Sequence, residues 1–357
     1  MKICLNMGVI VRQVLKIWGA FCTSFVILTL LFAFYGFIPV HIDNPLRNTD
    51  YVWPSNAHWM KMTEGISWGR LDANGFNNMT IIENPDVLLV GSSHMEAMNI
   101  MQDRTIASLL NQKLNGHFNV YNLGISGHNF FKTCQYLPQN IALYKPKGLK
   151  AIIIETSTVD VKQKDVDAII SHSIKKTPSH AHGLVGKLQK NPFLRTLYFQ
   201  SEHGLSKIVS PPQIYNYLKK QKTKQQNANQ QKTIMTVDDS AYSRLFSWLE
   251  SLEKENHIKL IIFYHPFEIL KQDDTISFNN SEDTLNTFKK AASEHNVTVI
   301  DMTKSFERMF YEEHHVPHGF VTGKLGVGHL NAYGHSAVAK ELVKVINGLD
   351  DKGVCLP

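Results

Sequence analysis

Three short stretches hold side chains that could do chemistry together. In "DVLLVGSSHMEAM", residues 86–98, an apolar run stops at a glycine, and Ser92, Ser93, His94 and Glu96 follow. A serine on a strand-to-helix turn is exposed, and its own N–H sits at the positive helix end. In "NLGISGHN", residues 122–129, two glycines allow close backbone approach, so the Gly127 N–H could face the same crevice. In "GVGHLNAYGHSAVA", residues 326–339, His329 precedes a helical pattern and could take a serine proton. A hydroxyl, an imidazole and two backbone donors make the parts list of acyl transfer through a tetrahedral intermediate. Each part also has a plainer role. Ser93 with Glu96 three residues on fits a capping box. Gly127 could serve only to turn the chain, and Asn331 reads as the cap of the last helix. His335, one turn inside that helix, reads as a packing or supporting residue.

The elements that would bring these parts together follow from periodicity. "DVLLVG" (86–91), "FNVYNLG" (118–124), "LKAIIIET" (149–156), "IKLIIFYH" (258–265) and "VTVIDM" (297–302) are apolar runs of strand length. Helices are expected over 94–115, 129–143, 240–256, 281–295 and 332–348. Continuous apolar strands alternating with helices predict an α/β domain, a parallel sheet covered on both faces. Sites in such sheets form beyond the carboxyl ends of the strands, which selects the loops after Val90, Asn122, Ile154, Tyr264 and Ile300. Residues 162–239 interrupt the rhythm with polar, aperiodic sequence and read as a helical or irregular insertion.

On these three blocks the chain, from about Asp86 to Leu349 without the insertion, resembles the SGNH/GDSL superfamily of serine esterases and acyltransferases. The resemblance implies a three-layer, flavodoxin-like domain over 84–349. It implies Ser93 as nucleophile, His329 as general base, and the Ser93 and Gly127 N–H groups as an oxyanion hole. Three positions depart from the family pattern. Ser92 stands where the usual Gly-Asp-Ser motif has aspartate. The third block normally offers an asparagine donor, and "IIIETST" offers Thr156 or Ser157 in its place. The triad acid is expected three residues before the histidine, where Gly326 stands; the nearest preceding acids are Glu312 and Glu313. A distant carboxylate, a backbone carbonyl or nothing would then orient His329. The resemblance implies an esterase or O-acyltransferase acting on an ester, in anchored members often an acetyl group of a cell-envelope carbohydrate. The departures leave an inactive binding or scaffold domain in an envelope assembly as the rival reading.

Residues 17–40 hold no charged side chain across 24 positions, a helix of about 36 Å that suffices for a bilayer core. Lys2, Arg12 and Lys16 precede it, so residues 1–16 are expected in the cytoplasm and the main domain outside it. A single-pass signal anchor is thus expected, followed by a membrane-proximal segment, 41–83, and a tail at 350–357. The 357 residues are 43% hydrophobic with a formal charge of +6, which suits a globular domain. No arginine stripe with interleaved aromatics occurs, so nucleic acid is not expected as a partner. Nucleotide-loop glycine motifs are absent. The histidines of "EEHHVPHG" (312–319) lack metal-motif spacing, and no metal or cofactor is expected. His265 and Glu268 of "YHPFE" either border the crevice or belong to an ordinary turn. An oxidising compartment would permit one disulfide, between Cys134 and Cys355.

Overall fold

The computed structural model describes residues 2–34, 42–44, 51–61, 64–171, 191, 193–194, 239–271, 273–279, 281–321 and 324–349. The chain divides into two compact units, Met1–Val40 with Ser179–Gln231, and His41–Pro178 with Lys232–Pro357. In the first unit, helix α1 (Lys2–Phe34) contains the 24-residue stretch Gly8–Leu31, in which an 18-residue window reaches a mean hydropathy of 2.0 with none of it buried. Among the described residues this is the one helix long and apolar enough to cross a membrane. Most of the insertion and the tail, with Cys355 and its proposed disulfide, lie outside the described residues. Cys134 is a buried free thiol whose pKa burial pushes up.

The second unit is built on five parallel strands: β1 (Val87–Val90), β2 (Val120–Asn122), β3 (Ala151–Thr156), β4 (Lys259–Tyr264) and β5 (Thr298–Asp301). Their order across the sheet is β5-β4-β3-β1-β2, the flavodoxin-like arrangement. Side chains alternate between sheet faces, and here both faces are buried, which is why the strands read as unbroken apolar runs. Leu88, Val90, Ile152, Ile154, Leu260 and Ile262 point to one face. That face is covered by α4 (Phe130–Gln135), α5 (Leu137–Tyr144), α6 (Gln163–Ile170), α7 (Asp239–Asn256) and α8 (Glu282–Glu294). Val87, Leu89, Ala151, Ile153, Ile261 and Phe263 point to the other. There they meet α3 (Ile106–Leu114), α9 (Thr303–Glu313) and α10 (Ala332–Ile346).

Two expected helices are broken, for different reasons. The helix expected over 94–115 is a short α2 (Ser93–Glu96), a 3-10 turn at Gln102–Arg104, and α3. Ala97 takes a left-handed conformation, φ 57°. Carbonyls that a continuous helix would use internally are claimed from outside: Asn77 Nδ2 donates to the Glu96 carbonyl (2.8 Å) and Ser67 Oγ to that of Met98 (2.7 Å). The helix expected over 129–143 divides at Tyr136, since Pro138 has no N–H and its ring would strike the carbonyl four residues back. Helix α9 has no counterpart among the expected elements.

Residues 41–83, expected to be membrane-proximal, are ordered where described and fall in the second unit. An antiparallel hairpin pairs His58–Lys61 with Ser67–Arg70, and Trp59 and Phe76 are buried. Downstream, Asn78 guards the open edge of the sheet. Its Oδ1 accepts the Asn122 N–H (2.9 Å) and its Nδ2 donates to the Asn122 carbonyl (3.0 Å), occupying both groups of an edge residue on β2.

His335 is buried in α10, and its Nδ1 accepts the Ile106 N–H at the start of α3 (3.2 Å). Burial, then the charges of His265 and the other nearby histidines, lowers its pKa from 6.5 to about 3. A folded pKa below the unfolded one stabilises fully above pH 6.5 and is lost as pH falls toward 3. Stability is expected to fall by up to about 1.4 kcal/mol per pH unit from this group. In His335→Gln, which keeps an acceptor, urea midpoints measured across that range should depend less on pH.

Candidate active site

Strand β1 leads into the turn that carries Ser92 and Ser93. A Cβ on Gly91 would lie 2.5 Å from Glu155 Oε2, so only glycine lets the turn close against β3. Ser92, not Ser93, is the N-cap of α2: its Oγ accepts the His94 N–H (3.2 Å), and its own N–H donates to Glu155 Oε2 (2.6 Å). The expected capping box is therefore absent. The Glu96 carboxylate instead accepts Trp53 Nε1–H (2.7 Å) and the Ser126 N–H (3.2 Å), and it bonds the Ser126 hydroxyl. Ser93, the first helical residue, keeps its side chain for another partner. That partner is His329, whose Nε2 lies 2.8 Å from Ser93 Oγ.

His329 sits just ahead of α10, and Asn331 caps that helix by accepting the Tyr333 and Gly334 N–H groups. Asn331 Nδ2 also donates to the carbonyls of Val316 (2.7 Å) and Gly319 (3.0 Å), tying the loop down. The other ring nitrogen of His329, Nδ1, is bonded to Glu64 Oε2. Asn99 Nδ2 donates to the same oxygen (2.9 Å), and a Cβ on Gly328 would lie 2.9 Å from Glu64 Oε1. Burial alone would raise the Glu64 carboxyl, but the bond to His329 and its charge prevail and hold it below the usual carboxylate value.

The acid partner thus comes from the hairpin loop at Glu64, in the segment read as membrane-proximal. Glu312 and Glu313 are exposed at the end of α9. Gly326 has φ 75°, a left-handed conformation that strains any other residue, and a Cβ there would press on Leu270 Cγ at 3.0 Å. One signal pointed to Glu64: it is the only acid between Tyr51 and Leu71, a stretch rich in aromatics.

Among the described residues, no acceptor takes the N–H of Ser93 or of Gly127. Gly127 has φ 83°, and Tyr51 Oη, which donates to the Ser126 carbonyl (2.6 Å), stands 2.9 Å from where its Cβ would be. The loop carrying it is pressed onto α2, since a Cβ on Gly124 would lie 2.4 Å from the Glu96 nitrogen. Thr156 is committed locally: its Oγ1 donates to the Thr158 carbonyl (2.6 Å) and accepts the Thr158 N–H (3.1 Å). It is not available as a third donor. Ser157 is half-buried and has no hydrogen-bond partner among the described residues.

Behind the Ser92–Ser93 turn lies a buried chain that the sequence did not reveal. Glu155 Oε1 meets His265 Nε2 (2.8 Å), His265 Nδ1 meets His318 Nε2 (3.2 Å), and His318 Nδ1 meets Glu268 Oε2 (2.5 Å). Glu268 Oε1 accepts the His318 N–H (3.0 Å). His94 joins them, its ring centroid 4.6 Å from that of His265 and 5.0 Å from that of His329. Its Nδ1 accepts the Leu330 N–H (3.1 Å). His265 and Glu268 are thus inside the protein and not on the crevice rim. Burial would raise the Glu155 carboxyl, but its bonds to His265 and Ser92 hold it down. Of the "EEHHVPHG" histidines, His315 stacks on Tyr333 (3.7 Å), His314 ends α9, and only His318 turns inward.

Beside the acid opens a cavity of about 960 Å³, with Gly65, Asn99, Ile66, Phe310, Leu325 and Tyr333 in its walls. Gly65 and Asn99, the neighbours of Glu64, join it to the Ser93–His329–Glu64 chain.

No family model matches the chain, and no curated protein matches it. Solved structures do. The chain is similar to the acetyl xylan esterase AlAXEase at 15% identity and TM-score 0.39, over 73% of this chain and 98% of that one. A lipase/acylhydrolase from Enterococcus faecalis matches at 11% identity and TM-score 0.38, over 73% and 95% of the two chains. The psychrotrophic esterase EstA from Pseudoalteromonas sp. matches at 10% identity and TM-score 0.34, over 73% and 97%.

Proposed function

We propose that the chain is a membrane-anchored serine esterase or O-acyltransferase of the SGNH/GDSL type. The observation that carries this reading is the continuous hydrogen-bonded chain from Ser93 Oγ through His329 to Glu64. In it Ser93 Oγ attacks an ester carbonyl while His329 Nε2 takes the hydroxyl proton. Glu64 holds the ring proton on Nδ1 and balances the imidazolium that forms. The Ser93 and Gly127 N–H groups, both without an acceptor among the described residues, receive the oxyanion, and Ser157 is the remaining candidate for a third donor. His329 returns the proton to the leaving alcohol, leaving an acyl group on Ser93. Water or an acceptor hydroxyl then takes that group through the same base. An acetylated cell-envelope carbohydrate is the proposed substrate, since an anchored domain outside the cytoplasm would face such polymers.

The activity is tested by treating the detergent-solubilised full chain with a fluorophosphonate and mapping the adduct by peptide mass spectrometry. The expected adduct is on Ser93. A folded protein that takes no label at Ser93 would overturn the enzyme reading in favour of an inactive binding domain. The location rests on the apolar stretch Gly8–Leu31 and on the basic residues Arg12 and Lys16 with no acid among them. A periplasmic-type reporter fused after Pro357 should be active; activity only of a cytoplasm-dependent reporter would refute the orientation.

A further inference from the structure

We propose that His265 and His318, joined by His94, bind a divalent zinc-class ion beneath the nucleophile turn. The three rings each offer a nitrogen within 4.8 Å of the other two, and all three residues are buried. The His265 Nδ1 to His318 Nε2 separation is 3.2 Å. Two imidazoles on one tetrahedral zinc, at about 2.0 Å each, stand about 3.3 Å apart. Each of these two rings is backed on its far nitrogen by a carboxylate, Glu155 behind His265 and Glu268 behind His318. A carboxylate behind a ligating imidazole fixes its tautomer, turning the lone pair to the metal. Imidazole donors suit zinc and its first-row neighbours rather than magnesium or calcium.

Charge counting favours the ion over a shared proton. Glu155 and Glu268 bring two negative charges to this interior, and among the described residues neither pairs with a lysine or arginine. The chain of three hydrogen bonds needs three protons, and two neutral imidazoles supply two. One added proton leaves a buried net charge of −2 + 1 = −1. A divalent ion between the rings frees each imidazole proton for its own carboxylate, and −2 + 2 = 0. A buried charge left uncompensated is costly, so the neutral arrangement is preferred. His94 is the third donor. Its Nδ1 now accepts the Leu330 N–H, so either ring nitrogen ligates only once that bond is released. The ion would lie one residue contact from catalysis, because Glu155 also receives the Ser92 N–H (2.6 Å) that shapes the turn before Ser93. This inference does not depend on Ser93 being a working nucleophile.

The test uses the full chain in detergent, loaded with Zn²⁺ or Co²⁺, dialysed, and assayed for bound metal by mass spectrometry. About one ion per chain is expected, with a higher melting temperature on metal addition and the visible absorption of tetrahedral cobalt. His318→Ala should lose the ion, and Glu268→Gln, which keeps shape, should bind about 10- to 100-fold more weakly. His315→Ala, outside the cluster, should bind normally. The proposal is overturned if the folded wild-type chain holds no ion and its melting temperature ignores both metals. It is equally overturned if Glu268→Gln, shown folded by circular dichroism, and His315→Ala both bind like wild type.

Discussion

Glu64→Gln is expected to lower the turnover of an acetyl ester by about 10⁴-fold while leaving the fold in place. The amide is nearly the same shape, but it carries no charge to balance the imidazolium that forms. Asn99 Nδ2 and His329 Nδ1 also meet the same oxygen, Oε2. An NH2 group at that position would give up the Asn99 bond and donate to Nδ1, moving the ring proton to Nε2, which faces Ser93 Oγ. The ring would then meet the serine with a proton where a lone pair is needed. Stopped-flow or steady-state hydrolysis of p-nitrophenyl acetate measures the change. A Glu64→Gln enzyme within about tenfold of wild type would remove Glu64 from the mechanism. The carboxyl is held below its ordinary value of 4.5 by His329, against the pull of burial. The interaction is therefore complete above pH 4.5 and is lost as pH falls through the lower folded value.

Ser93→Ala is expected to cost more, about 10⁶-fold in kcat, since no other nucleophile is hydrogen-bonded to His329 among the described residues. Among the described residues the only bond its side chain makes is to His329, and the turn is held by Ser92 and Gly91, so the melting temperature should hardly move. The double variant with Glu64→Gln should be no slower than Ser93→Ala alone, because the residues act as one unit. Additive losses would mean that Glu64 serves something other than the serine–histidine pair.

The sheet was legible because strands buried on both faces read as unbroken apolar runs, and helices between them force parallel order. The break at Tyr136 was also open to a local reading, through Pro138. The break after Glu96 was not, because its causes, Asn77 and Ser67, lie some 20–30 residues upstream and act only once the chain has folded. Ser93 and His329 stood out because each follows a glycine turn at a strand end or before a helix. Glu64 did not, since it lies 265 residues from His329 and on no strand of the main sheet. The buried histidines were hidden for a related reason. His94, His265 and His318 meet only through tertiary packing, so no spacing rule could collect them.

The hairpin that carries Glu64 has one more implication. It sets the proposed acid outside the five-stranded sheet, although Tyr51, Val52 and Phe76 of the same segment pack into the core. A protein begun at residue 84 would keep all five strands of the sheet and both the serine and the histidine. It would lack the carboxylate, along with the Asn78 side chain that closes the edge of β2. If Glu64 acts as proposed, trimming from the amino end should silence the protein as soon as residue 64 is lost, which an ester-hydrolysis assay on stepwise truncations reads. In the intact chain, the carboxylate bonded to His329 is supplied by the stretch that precedes the sheet.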